Sequence, residues 1–101
     1  MNGVSRINIE DVSLRGDGFL FVRPALPEGS DYQHIYRAAN GIRWSPDLRA
    51  LQPYELGSSS PAFWFQRMIE AVKNEYGDEL VLSEATTWNN VPADMRAELQ
   101  G

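Results

Sequence analysis

The sequence predicts an α+β domain: an antiparallel sheet of four to six strands, built as hairpins and a meander, with one long helix packed on one face and a short C-terminal helix. Three observations predict it. Short apolar or alternating runs fill the first half of the chain, separated by Gly, Pro, Asn and Asp turn signals; one long amphipathic segment spans 60–77; and the apolar run Leu80-Val81-Leu82 follows it with the density of an inner strand.

The first strand carries Ile7 and Ile9 in one phase and Val12 and Leu14 in the other, which places a bulge or bend near Glu10-Asp11. Gly16-Asp17-Gly18 then marks a hairpin, because both members of an Asp-Gly pair tolerate positive φ. Phe19-Leu20-Phe21-Val22 is apolar at four successive positions, so the second strand is expected to be covered on both faces for part of its length. Pro24 and Pro27 end it. Alternation places Tyr32, His34 and Tyr36 on one face of a third strand and Gln33, Ile35 and Arg37 on the other, with a tight turn at Asn40-Gly41. Ile42-Arg43-Trp44 returns, and the turn Ser45-Pro46-Asp47 leads into a further short strand over 48–52, ended by Pro53.

Ser60 is suited to the N-cap of the long helix and Pro61 to its first position, where no amide hydrogen is needed. At about 100° per residue, Trp64, Phe65, Met68, Ile69, Ala71, Val72 and Tyr76 share one broad face, and Gly77 offers the left-handed stop. Phe63 departs from this pattern, falling on the polar face. Pro92 opens the last helix, with Val91, Met95 and Leu99 on one stripe.

A chain of 101 residues forms one domain, 1–101, with a single core. Hydrophobic content of 43% and three Trp, four Tyr and four Phe argue for an ordered globule rather than a disordered chain. The formal charge of -5 disfavours nucleic acid, whose phosphates need a basic face. With no Cys there is neither a disulfide framework nor a thiolate metal site. Neither a secretory leader nor a membrane-length apolar run is legible, so a cytoplasmic protein without membrane contact is expected.

Chemistry-bearing motifs are scarce. His34 is the single histidine, and zinc sites recruit several His or Cys ligands, so no metal is expected. Gly57-Ser58-Ser59-Ser60-Pro61 is not the Gly-x-Ser-x-Gly elbow of a serine hydrolase, and the serines read as a helix cap and its approach. Glu75, Asp78, Glu79 and Glu84 lack the alternation and central Gly of a calcium loop and read as a solvated helix end. Phosphate-binding glycine loops are absent, and no cofactor is expected. The aromatic residues remain. Phe63 lies beneath the loop 53–60, against the final helix, or on a partner; in the last case Phe63, Trp64 and Arg67 form an interaction surface.

The hairpin Ile42-Arg43-Trp44-Ser45-Pro46-Asp47, the helix from Trp64-Phe65-Gln66 to Glu75-Tyr76-Gly77, the run Glu79-Leu80-Val81-Leu82, and Thr87-Trp88 with Val91-Pro92 resemble a group of small hypothetical proteins known from integron gene cassettes. The resemblance covers most of the chain. It implies an α+β fold and an oligomeric accessory gene product, and it carries over no functional residues.

The leading functional expectation is a non-enzymatic interaction protein that self-associates as a homo-oligomer through Phe63, Trp64 and Arg67. A small-molecule-binding protein is the alternative, its pocket between sheet and helix lined by Tyr32, His34, Tyr36 and Trp44, with Trp64 facing them from the helix. An acidic inhibitor of a basic protein partner, of the antitoxin or immunity type, is the third.

Overall fold

A computed structural model describes residues 5–55, 57 and 59–101. Among these residues are six strands, β1 (Ser5–Leu14), β2 (Leu20–Pro24), β3 (Ile42–Ser45), β4 (Ala50–Pro53), β5 (Asp78–Val81) and β6 (Thr87–Asn89), with helices α1 (Pro61–Tyr76) and α2 (Ala93–Gln100) and a 3-10 turn over Ile35–Ala38. The fold is α+β. Strand order is β3-β4-β2-β1-β5, with β6 also on β1.

β1 and β2 form the expected hairpin, with Leu14 opposite Leu20. Its turn is closed by Arg15 N–H donating to Phe19 O and by Gly18, at φ 94°. β3 and β4 form a second hairpin, with Ser45 opposite Ala50. β2 and β4 also pair antiparallel, but two further pairings correct the expectation of an antiparallel sheet: β1 pairs with β5 and with β6 in parallel, so the sheet is mixed. β5 and β6 follow one another along the same edge of β1, beside Ser5–Asn8 and then Asp11–Ser13. Two strands laid in line on one edge run in one direction, and both match the direction of β1.

The segment expected as a third strand is instead the 3-10 turn. Asp31 Oδ1 accepts from Gln33 N–H at 3.1 Å, Ile35 N–H donates to Tyr32 O, and Arg37 N–H donates to His34 O. These local bonds satisfy the backbone without a neighbouring strand. Tyr32 and Ile35, three residues apart, are the buried pair, and His34 and Tyr36 face solvent.

Helix α1 has the ends read from its sequence. Ser60 Oγ accepts from Phe63 N–H at 3.2 Å, and Gly77, at φ 74°, donates its N–H to Lys73 O. Asp78 begins β5 directly after this cap. Phe65, Met68, Ala71 and Val72 bury against Ile9, Val12, Leu20, Val22 and Leu51 of the sheet. Trp64 stands over Gly41, where a Cβ would lie 3.3 Å from the ring. Leu99 of α2 joins the same core, with Val91 and Met95 packed beside it.

The predicted irregularity in β1 is a bulge between Ile9 and Asp11, where the register with β2 shifts. It has a structural consequence. Side chains alternate along a strand, so an extra residue reverses the phase. Ile9 and Val12 therefore both enter the core, and Asp11 and Ser13 are turned to the outer face of the sheet, away from α1.

Candidate functional site

The outer face of the sheet holds an open pocket of about 390 Å³, lined by Asp11, Ser13 and Arg15 of β1 and its turn, Phe21 and Arg23 of β2, Leu48 and Ala50 at the β3–β4 hairpin, and Asn89 of β6. That volume is in the range of small-ligand sites, which run from about 300 to 1,000 Å³. Its floor is apolar. Phe21 is buried there and Ala50 beside it, which accounts for the doubly covered second strand expected from Phe19-Leu20-Phe21-Val22.

Asp11 is the unusual member. It is only 7% exposed, in a wall of the pocket, and three neutral donors hold its carboxylate. Ser13 Oγ donates to Oδ2 at 2.6 Å, while Thr87 Oγ1 and Asn89 Nδ2 both donate to Oδ1 at 2.5 Å. Asn89 also donates to Ser13 Oγ at 3.4 Å. Among the described residues, no Lys, Arg or His forms an ion pair with it. The two arginines of the pocket pair with other carboxylates, Arg15 with Asp17 at 2.9 Å and Arg23 with Glu10 at 3.4 Å, and Arg15 lies 5.5 Å from the Phe21 ring centre.

Thr86 places the β6 donors. Its hydroxyl donates to Ile9 O at 2.6 Å, beside the bulge, and accepts from Ser83 N–H at 3.0 Å. Thr87 and Asn89 are thereby set opposite Asp11 and Ser13. The residues of the pocket come from four parts of the chain, and the sequence marks only the bulge near Glu10-Asp11 as a local irregularity.

The expected sheet–helix pocket is not assembled. Tyr32 and Trp44 are buried against each other, with ring centres 5.8 Å apart, and Tyr32 packs on Tyr76 at 4.6 Å. Tyr36 is 51% exposed, and its hydroxyl lies 3.5 Å from His34 Nδ1. Tyr32 and Trp44 thus lie in the core, while His34 and Tyr36 lie on the surface. Tyr32 OH donates to Asp78 Oδ2 at 2.9 Å; burial first, and then this carboxylate, raise its pKa far above the ordinary phenol value. Burial also raises that of Tyr76.

Phe63, Trp64 and Arg67 do come together. The Phe63 ring meets Trp64 edge to face at 5.2 Å, and the Arg67 guanidinium lies 5.1 Å from its centre. Phe63 is 41% exposed, so the described residues of the approach loop and α2 leave it open. Ser58, one of the serines weighed as a nucleophile, lies outside the described residues, as do Leu56 and residues 1–4. Among the described residues, no group of three or more His, Cys, Asp or Glu side chains is placed to hold a metal, and no helix is long and apolar enough to cross a membrane.

No protein-family model matches the sequence, and no curated protein does. A solved structure from the mobile metagenome of the North West Arm sewage outfall, integron cassette protein Hfx_Cass5, is 33% identical to this chain. The match covers 97% of this chain and 95% of that one, with a TM-score of 0.48. At that identity over nearly the full length of both sequences, this chain belongs to the family of that integron cassette protein.

Proposed function

We propose that this protein binds a small organic ligand in the Asp11 pocket and works by binding rather than by catalysis. One observation carries the reading: a nearly buried carboxylate, positioned by three side chains from β1 and β6, forms part of the wall of an open pocket with an apolar floor. Small-ligand sites combine an apolar lining with a few fixed polar groups in this way. A bulge that turns an acidic residue outward, together with three side chains committed to orienting it, is more construction than a solvated sheet face requires.

A metabolite and fragment screen by thermal shift, followed by amide chemical-shift mapping, tests this. Saturable stabilisation with shifts at Asp11, Ser13, Phe21 and Asn89 is expected; a ligand present at about 100 times its Kd adds about 2.7 kcal/mol to stability. Absence of any saturable hit, or hits that map only to other surfaces, refutes the assignment.

Self-association is a second reading, favoured by the exposed Phe63 ring braced by Trp64 and Arg67. Here the expected outcome is concentration-dependent sedimentation that Phe63→Ser reduces. Unchanged sedimentation of that variant removes the patch from any interface.

A further inference from the structure

The hydrogen-bond pattern around Asp11 narrows the chemistry of the ligand. Each carboxylate oxygen can accept two hydrogen bonds. Oδ1 already accepts two, from Thr87 and Asn89, but Oδ2 accepts one, from Ser13. One acceptor position therefore remains on a carboxylate that is 7% exposed in the pocket wall. All three donors are neutral, and Arg23, the cross-strand partner of Asp11, forms its ion pair with Glu10 instead. A buried anion in that condition gains most from a cationic N–H donor.

Arg15 and Arg23 impose a second requirement. Both line the same pocket, and both are held by exposed acidic partners, Asp17 and Glu10. Such exposed pairs are worth only about 0–1 kcal/mol, so exchanging either partner for a ligand carboxylate costs little. A guanidinium then offers two parallel donors to that carboxylate. A simple cation would satisfy Asp11 but meet the arginines, and a simple anion would have the reverse problem. Leu48 and Ala50 leave an apolar wall for the remainder of the molecule.

We propose that the ligand is a zwitterion of the amino-acid class with an apolar side chain, its ammonium on Asp11 Oδ2, its carboxylate on Arg15 and Arg23, and its side chain over Leu48 and Ala50. This inference rests on the ligand-binding reading of the pocket. Calorimetry and amide chemical-shift titration of the full chain with leucine, phenylalanine and tryptophan, each beside its N-acetyl and its carboxamide derivative, test it. Saturable binding of at least one free amino acid at the pocket is expected, with each blocked derivative about 10- to 100-fold weaker, the loss of one charge-assisted hydrogen bond. Asp11→Asn should weaken the free amino acid by a similar factor. Should Asp11→Asn fail to fold, Arg23→Ala, on the exposed rim, should weaken the free amino acid and leave the carboxamide unchanged.

Equal binding of the free, acetylated and carboxamide forms at the pocket overturns the zwitterion and leaves the ligand site standing. Binding of none of the amino acids, alongside a saturable hit at the pocket from the metabolite and fragment screen, likewise overturns only the zwitterion. With no hit at the pocket from either set, both the zwitterion and the ligand site fail.

Discussion

Thr86→Val is the most direct test of how this fold builds its outer face. Valine matches threonine in shape, so the change removes a hydroxyl and little packing. That hydroxyl is buried and makes two bonds, donating to Ile9 O at 2.6 Å and accepting from Ser83 N–H at 3.0 Å. A typical intramolecular hydrogen bond contributes about 0.5–1.5 kcal/mol net, and a buried group left without a partner costs about 1–3 kcal/mol. The Ile9 carbonyl lies beside the bulge, between the stretches of β1 paired with β5 and with β6, and it bears the larger penalty. Ser83 is exposed, so water can replace the lost acceptor at modest cost. The expected destabilisation is about 2 kcal/mol, which for a domain of this size lowers Tm by roughly 8–16 °C. Urea denaturation gives the free energy, and an unchanged slope against denaturant shows that the folded state remains compact. Thr86→Ser, which keeps the oxygen, should recover most of the loss. Chemical shifts of Thr87 and Asn89 should move in the valine variant, because the β6 register against Asp11 depends on the same contact. A loss below about 0.5 kcal/mol in Thr86→Val would refute the reasoning, since the buried carbonyl would then have another donor.

Tyr32 makes stability depend on alkaline pH. Its folded pKa is raised above the unfolded value of about 10, chiefly by burial, so the folded state keeps a proton that the unfolded state releases. Its contribution is full below about pH 10 and falls as pH rises past it, by up to about 1.4 kcal/mol per pH unit; Tyr76 acts in the same direction. Tyr32→Phe should cost about 1 kcal/mol at neutral pH and flatten the alkaline decline in urea denaturation, whereas an unaltered decline would assign it elsewhere. Ser60→Ala removes the side-chain acceptor of Phe63 N–H and should cost about 1 kcal/mol, with hydrogen exchange quickened in the first turn of α1 and unchanged at Gly77.

The resemblance to integron cassette proteins, carried by the Trp44 hairpin, the long helix and the Val91-Pro92 segment, is matched by the 33% identity to a solved cassette protein. The mixed sheet and the pocket had no such signal. Tyr32, His34 and Tyr36 alternate as a strand would, yet Tyr32 and Ile35 equally satisfy a three-residue repeat. A short segment carries too few positions to separate the two periods. The Asp31 side chain and the α1 contacts decide the matter here. Asp11 stood next to the predicted bulge, but its partners Thr87 and Asn89 are far along the chain.

What the sequence alone determined is local: both ends of α1, its buried stripe, the two hairpin turns and the bulge in β1. Each depends on residues within a few positions of one another, where the steric rules for φ, capping and side-chain alternation apply directly. Tertiary structure decided which edge of β1 receives β5 and β6, and in what direction. Parallel pairing and in-line placement follow from how distant segments share one core, and short apolar runs encode neither partner nor direction. Only that pairing brings Thr87 and Asn89 to Asp11 and makes a site from an otherwise ordinary strand carboxylate.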